Sequence, residues 1–450
     1  MPAEPGEDDD STGGDTVADV TNPRVRVGVL GCGNVGAALV NTIAEQAATI
    51  ADRTGIDLEV TQVAVRSISR DRGVDLAPEF FTTDAGAVVG AADVDVVVEV
   101  IGGIEPARQL IIEALEAGKP VITANKELLA NHGAELYAAA ELAGVDLLFE
   151  AAVAGGIPLM RPLRESLIGE PITRVMGIVN GTTNYILTRM TEAGVTYQEA
   201  LAEAQSLGYA ERDPTADVEG YDAGAKAAIL ATIAFGVKVV AGDVYHEGIS
   251  SITATDIAYA RRLGYEVKLL AVAEQIDSPD GAEVAVRVHP AMVPSTHPLA
   301  SVRESFNAVF VEGAKVGDLM FYGRGAGGDP TASAVLGDVI DAATNLRKGA
   351  SGSFGTLGRA RIRPIDELES AYYLNLEVAD EAGVLATVAG VFGQHGVSIQ
   401  SMEQEGLGDE ARIVFITHEA VERDMQATLH QLRELDEVRG VQTVLRVVGD

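Results

Sequence analysis

Apolar runs of strand length alternate with stretches of helical period through the first third of the chain. Arg24–Leu30 (RVRVGVL), DLEVTQVAV at 57–65, DVDVVVEVIG at 93–102, PVITA at 120–124 and VDLLFEAAV at 145–153 read as strands. Between them AALVNTIAEQAATI, Glu105–Gly118 and Lys126–Ala143 carry the helical repeat. Strands apolar at nearly every position must be covered on both faces, so the pattern predicts an α/β domain with a doubly wound parallel sheet over 23–150, with 328–345 available to complete it. Residues 151–345 are expected to form an α+β domain. Residues 346–369, rich in Gly and Arg (LRKGASGSFGTLGRARIRPIDELE), read as a linker. The segment 370–450 then runs YYLNLEV, DEAGVLATVAGVFGQHG, VSIQSMEQE, ARIVFIT, a helix over Ala420–Leu435, and VQTVLRVV. Strand, helix, strand, strand, helix, strand is the ferredoxin-like order.

Charge narrows the partners. With 67 Asp and Glu against 33 Lys and Arg, the net charge of −34 repels nucleic acid and anionic membrane surfaces. No run of apolar residues is long enough for a transmembrane helix. Cys32 is the single cysteine, which excludes internal disulfides and thiolate zinc clusters. Residues 1–22 are acidic, with Pro and Gly in place of a basic start and an apolar stretch; they read as a disordered tail, and the chain is expected to be cytoplasmic. Acid excess, scarce Lys, abundant Ala and Gly and no Trp resemble the composition of proteins from salt-accumulating halophiles.

GCGNVG at 31–36 lies between the first strand and the first helix, the order that a dinucleotide site needs. Gly31 permits the tight turn, Gly33 lets the backbone approach a pyrophosphate, and Gly36 lets helix and strand pack closely. Asn34 and Val35 open the helix whose amides and dipole favour phosphate. Ile101 and Gly102, ending the 93–102 strand, join the expected cofactor contacts. Arg66 follows the second strand where an acid would hold the ribose diol of NAD, so NADP is the expected preference with NAD left open; the alternative is an arginine paired with a surface carboxylate. Lys126 stands at a strand-to-helix junction and projects at the nicotinamide end. Glu150 precedes AAVAGGIP, a pattern suited to a monovalent cation, Na or K, or to a Gly turn with a buried glutamate.

Only seven of the 33 basic residues are lysines. One of them, Lys226, closes GYAERDPTADVEGYDAGAK at 208–226, four residues after Asp222 on a predicted helix face. Arginine holds its proton near neutral pH, whereas a partly buried lysine among carboxylates is tunable. The run therefore points to proton chemistry, against the plainer reading of a solvated acidic helix with one salt bridge. His289 and His297, each before Pro in an irregular stretch, read as structural.

TANK at 123–126, EAAVAGGIP at 150–158, GIVNGTTNYIL at 177–187, the 208–226 run and GRGAGGDPTASAV at 323–335 together resemble homoserine dehydrogenases, in order and spacing, over residues 24–345. The resemblance implies a Rossmann domain, a substrate and dimerisation domain, and reversible NAD- or NADP-dependent oxidation of L-homoserine to L-aspartate 4-semialdehyde in threonine, methionine and isoleucine biosynthesis. It implies that Lys226 or Lys126 moves the hydroxyl proton and that Asp222 orients the lysine. Glu211, Asn180, Gly181 and Thr182 would hold substrate beside Lys226, and Lys126 and Gly325 would lie against the cofactor. Glu150 with the carbonyls of Val153, Gly155 and Ile157 would hold the cation. Arg212 stands where many members carry Pro or Ala, and Ala154 where Gly is common.

The stretch DEAGVLATVAGVF with GVSIQSMEQ is similar to ACT domains, which pair edge to edge and bind amino acids at a strand–helix junction. Asp380, Gly383, Val384 and Leu385 match that junction. Threonine is the expected effector, an assembly module without ligand the alternative, and a homodimer or homotetramer the expected assembly. Since the catalytic motifs end before the linker, a chain cut after Glu369 is expected to stay active. A phosphorylating semialdehyde dehydrogenase is excluded because Cys32 lies in the phosphate loop, and a zinc alcohol dehydrogenase because its ligands are missing. The alternative is a non-catalytic amino-acid or redox sensor on the same folds, in which both lysines would have no task.

Overall fold

The computed structural model describes residues 22–449 apart from 279, 280, 282, 407 and 409; all but Asn22 of the acidic tail lies outside the described residues. Six parallel strands, β1 (Arg24–Leu30), β2 (Asp57–Ala64), β3 (Phe81–Thr82), β4 (Val96–Glu99), β5 (Val121–Thr123) and β6 (Leu147–Leu148), form one sheet in the order β3-β2-β1-β4-β5-β6. The order reverses between β1 and β4, which puts the ligand crevice beyond the carboxyl ends of those two strands. α1 (Asn34–Thr54) covers one face, and α2 (Ala85–Gly90), α3 (Ala107–Glu116) and α4 (Lys126–Ala143) cover the other.

The middle of the chain supplies α5 (Gly181–Ala193), α6 (Tyr197–Ser206), α7 (Thr215–Val218), α8 (Tyr221–Phe235) and α9 (Ala254–Arg262). Its strands are β7 (Ile172–Ile178), β8 (Tyr245–His246), β9 (Tyr265–Ile276), β10 (Glu283–Pro294), β11 (Phe306–Gly313) and β12 (Gly317–Arg324). β12-β11-β7-β9-β10 run antiparallel in one sheet, and α8 lies across β9 and β10 and against α4. α10 (Gly328–Lys348) then returns to the first domain and buries Ala332, Val335, Val339 and Ala342 along α1.

RVHPAMVPSTHPLA, expected to be irregular around His289, is instead strand through Pro294. Pro290 is tolerated because it falls where β10 changes partner, between β8 at Arg287 and Val288 and a later strand at Ala291 and Met292.

That later strand belongs to the C-terminal module: β13 (Arg361–Ile362), β14 (Glu369–Ala379), α11 (Val384–Gln394), β15 (Ile399–Gly406), β16 (Glu410–Thr417), β17 (Ala420–Val421), α12 (Glu422–Arg433) and β18 (Val438–Val447). β18-β14-β16-β15 is antiparallel, with α11 and α12 packed on a core of Leu374, Leu376, Phe392, Phe415 and Leu429. β18 pairs in parallel with β10 at Ala291↔Arg446 and Met292↔Val447, which makes the middle and C-terminal sheets continuous. Side chains alternate along β14, so Tyr373 and Asn375 point away from the helices and onto α9. There the buried Asp256 accepts Asn375 Nδ2 at 2.9 Å, Thr443 Oγ1 at 2.7 Å and the Tyr373 hydroxyl at 3.3 Å. The 346–369 segment is anchored at points along a largely exposed course: the Phe354 ring lies 4.4 Å from that of Tyr137, Arg164 sits 4.0 Å above it, and β13 pairs with β10.

Candidate active site

Gly31 takes φ 104°, and a Cβ there would come within 2.9 Å of the Val100 carbonyl. A Cβ on Gly36 would sit 2.1 Å from the Gly31 carbonyl. Gly33 differs: it faces open space, with nothing within 4 Å of a Cβ, and caps α1, whose first residues Asn34 and Val35 direct free amides there. Two glycines thus draw the backbone together while the third leaves room for a phosphate group. On the opposite wall, the amides of Ile101 and Gly102 donate to Glu99 Oε1 at 2.8 and 3.0 Å, and Thr123 Oγ1 donates to Glu99 Oε2 at 2.6 Å. Glu99 is fully buried and absent from the sequence-derived set; its signal was the one acid inside VVVEV. Arg66, Arg70 and Arg72 line the cleft between these walls. Arg72 turns back onto the carbonyls of Ser67 and Arg70, whereas Arg66 and Arg70 are exposed and pair with no carboxylate among the described residues.

At the inner end of the crevice, Asn125 caps α4 by accepting from the Leu128 amide and ties it to the β4 loop by donating to the Gly103 carbonyl at 2.6 Å. Lys126 is the first residue of that helix, where an ammonium opposes the helix dipole. Its compensation is Asp222 Oδ1 at 2.6 Å. Asp222 and Lys226 are the two charged residues of α8, an otherwise apolar helix buried over most of its length. Lys226 Nζ donates to Asp222 Oδ2 at 2.6 Å and to the Val179 carbonyl at 2.7 Å. Asn180, the cap of α5, donates to the same Asp222 oxygen at 2.9 Å and to Asp217 Oδ1 at 2.7 Å. One carboxylate therefore holds two ammonium groups, one on each oxygen.

Burial drives the Asp222 carboxyl upward, but Lys226 and Lys126 more than reverse it and hold the group well below the usual carboxylate range. Burial lowers the Lys226 ammonium below its ordinary value; Asp222 opposes this and Lys126 adds to it. Lys126 is also pushed down by burial, yet Asp222 outweighs the effect and its pKa is raised. The two lysines thus part in opposite directions. Burial raises Asp217 above its ordinary value.

Around this centre, Thr182 Oγ1 donates to the Tyr209 carbonyl at 2.6 Å, and Gly181 packs so closely on Ser305 that a Cβ would lie 2.7 Å from its carbonyl. Lys126, Lys226, Gly102, Val35 and Gly325 line one crevice. Glu211 lies on the exposed loop before α7, its carboxylate has no hydrogen-bond or ion-pair partner among the described residues, and Arg212 beside it is likewise exposed. Asp217, from the same acidic run, joins Asp222 at the centre through the Asn180 amide.

Glu150 is buried and accepts the backbone amides of Leu159, Met160 at 2.6 Å and Arg161 at 3.0 Å, which caps the helical turn that follows. Val153, Gly155 and Ile157 lie in the intervening turn, where Ala154 and Gly155 take φ 58° and 56°. Among the described residues no three His, Cys, Asp or Glu side chains cluster to hold a metal, and no helix is long and apolar enough to cross a membrane. In the C-terminal module, Gly383 at φ 100° caps α11, Val384 is buried at its start with Leu385 next, and Asp380 is exposed beside Gly406.

Residues 31–150 match the family described as homoserine dehydrogenase, NAD binding domain, residues 158–340 match homoserine dehydrogenase, and residues 372–437 match the ACT domain. A homoserine dehydrogenase of Corynebacterium glutamicum is 50% identical over 428 residues, 95% of this chain and 96% of that protein. One from Bacillus subtilis is 42% identical over 431 residues, 95% of this chain and 99% of that protein. The crystal structure of a homoserine dehydrogenase from Thiobacillus denitrificans superposes with a TM-score of 0.88 at 40% identity, covering 94% of this chain and 98% of that one. From the Gly turn through the ACT module, the chain belongs to the homoserine dehydrogenase family.

Proposed function

We propose that, in the interconversion of L-homoserine and L-aspartate 4-semialdehyde, Lys226 takes and returns the hydroxyl proton while Lys126 remains a fixed cation beside the reacting oxygen. The observation that carries this reading is the Lys126–Asp222–Lys226 row, with its two lysines tuned apart by burial and by one shared carboxylate. A bound nicotinamide supplies the hydride acceptor. The hydroxyl proton must leave as the hydride does; a lysine whose charged form is disfavoured accepts it, and a neighbouring ammonium stabilises the oxygen during transfer. In the reverse direction Lys226 returns the proton. Asn180 fixes Asp222 against rotation and supports Asp217 as a substrate contact. A sensor would have no use for two buried or half-buried lysines on one acid. The test is consumption of NADPH by the purified chain on addition of L-aspartate 4-semialdehyde; cofactor binding without turnover would restore the sensor reading.

Arg66 and Arg70 at the cleft, paired with no carboxylate among the described residues, favour the 2′-phosphate of NADP, in keeping with a hyperthermophilic archaeal homoserine dehydrogenase solved with NADPH, 30% identical at a TM-score of 0.60 over 71% of this chain. Glu150 accepts three amides of the roughly four hydrogen bonds a carboxylate takes, so its part in cation binding is to fix the turn whose carbonyls at Val153, Gly155 and Ile157 would hold sodium or potassium. Turnover in sodium, potassium and choline salts at equal ionic strength tests this. At the ACT domain, the strand–helix junction at Asp380 and Gly383 is the proposed site for an amino-acid effector such as threonine, tested by calorimetry.

A further inference from the structure

Asn307 has no role in the chemistry described so far, and its surroundings are unusual. It lies on β11 opposite Gly323 of β12, one residue from the Ala308↔Ile178 pair with β7. That places it between the second Gly loop and the Val179–Asn180 segment that engages Lys226. Its residue exposure is 1%, yet neither Oδ1 nor Nδ2 has a hydrogen-bond partner among the described residues. Each unpaired end of a buried amide is costly, whereas an apolar side chain of the same shape would carry no such cost.

The neighbour of this amide is the loop itself. A Cβ on Gly325 would lie 2.0 Å from Asn307 Nδ2 and 2.3 Å from Oδ1, so glycine is required at 325 for the loop backbone to rest on the carboxamide. The opposite side of Gly325 meets the turn after Glu150: a Cβ on Gly155 would sit 2.2 Å from the Gly325 carbonyl, and the Gly156 amide donates to the Arg324 carbonyl at 3.1 Å. Gly325 and Ala326 also line the crevice with Lys126 and Lys226. An amide carrying both a donor and an acceptor is thus held against a glycine-rich segment whose peptide groups offer the complementary pair.

We propose that Asn307 is the positioning residue of the second Gly loop: when cofactor enters the crevice, peptide groups of residues 324–327 turn onto its Oδ1 and Nδ2, so these hydrogen bonds are made in the loaded enzyme and not in the free one. The inference rests on the cofactor reading above. Its signature is a trade of stability for affinity, opposite to that of an ordinary core residue.

The test is Asn307→Leu, close in shape and without polar atoms. The melting temperature of the cofactor-free variant should rise by about 1–3 °C. Its Kd for NADPH, from fluorescence titration, should weaken about 10-fold, with KM for NADPH rising in step and kcat changing by no more than about 3-fold. Unchanged affinity overturns the role, and so does a fall in melting temperature together with affinity, which marks simple packing. Wild-type chain titrated in parallel separates the two readings, because its failure to bind NADPH would break the cofactor assignment itself. Should the leucine variant not fold, the wild-type holoenzyme structure decides: an Asn307 amide bonded to a 324–327 peptide group sustains the proposal, and an amide still unpaired overturns it.

Discussion

Asp222 and Asp256 are both withdrawn from water in the first turn of a helix, with side-chain exposure of 8% for the first and residue exposure of 0% for the second. Their partners differ in kind. Asp256 is met by neutral donors from Thr253, Tyr373, Asn375 and Thr443, which fill the positions a carboxylate offers. Asp222 takes one neutral donor, the Asn180 amide, and is otherwise met by two ammonium groups, of which Lys126 spends one donor and Lys226 two. Each ammonium has three, so both retain capacity for a ligand. A saturated buried acid joins two parts of the molecule, and a buried acid whose partners still have hydrogen bonds to give can serve a reaction.

That contrast is open to experiment, most sharply at Lys226. Lys226→Ala should lower turnover by roughly 10²–10⁴ with the unfolding transition and NADPH affinity retained; near-normal turnover would remove Asp222's neighbourhood from the chemistry. Asp256→Ala should do the reverse, costing about 3 kcal/mol in denaturant unfolding while kcat measured well below the transition stays near wild type. Loss of kcat at unchanged stability would erase the distinction. Cutting the chain after Glu369 removes Tyr373, Asn375 and Thr443 from Asp256 and β18 from β10 together, so the truncated chain is expected to be destabilised and not merely deaf to an effector.

Smaller effects probe the charged site alone. Arg66→Ala should weaken NADP(H) about 10-fold and NAD(H) far less at one fixed salt concentration; equal losses would end the selectivity claim. Lys126→Met tests the coupling of the two lysines through pH. Lys126 lowers the Lys226 pKa, so its removal lets Lys226 keep its proton to higher pH, and the acid limb of homoserine oxidation should move in the alkaline direction. A move toward acid would contradict the assigned proton acceptor.

The first domain was legible because each of its parts is local: a glycine turn beside an apolar strand, a capped helix, a period. Lys226 was legible for a similar reason, since an i,i+4 acid and the scarcity of lysine were both visible along the chain. What remained hidden depends on pairing between distant segments. That Asp217 joins Asp222 at the centre depends on Asn180, some distance earlier in the chain, whose amide donates to both acids. Asn307 gave no signal, being one Asn in an apolar strand. The strand character of His289 and Pro290 follows from β8, β9 and β18 converging on β10, which no local pattern around the two prolines announces.

The parallel pairing of β10 with β18 also bears on how the protein is made. Between Ala291 and Arg446 a ribosome working at about 5–20 residues per second needs on the order of 10–30 s, and until β18 emerges the stretch of that edge beyond β8, at Ala291 and Met292, lacks its strand partner. Unpaired edges template association with other chains. The nascent catalytic domain therefore passes through an interval in which its exposed backbone must be kept from neighbours on the same message, and conditions that slow or abort synthesis before Arg446 should favour inclusion bodies over soluble enzyme.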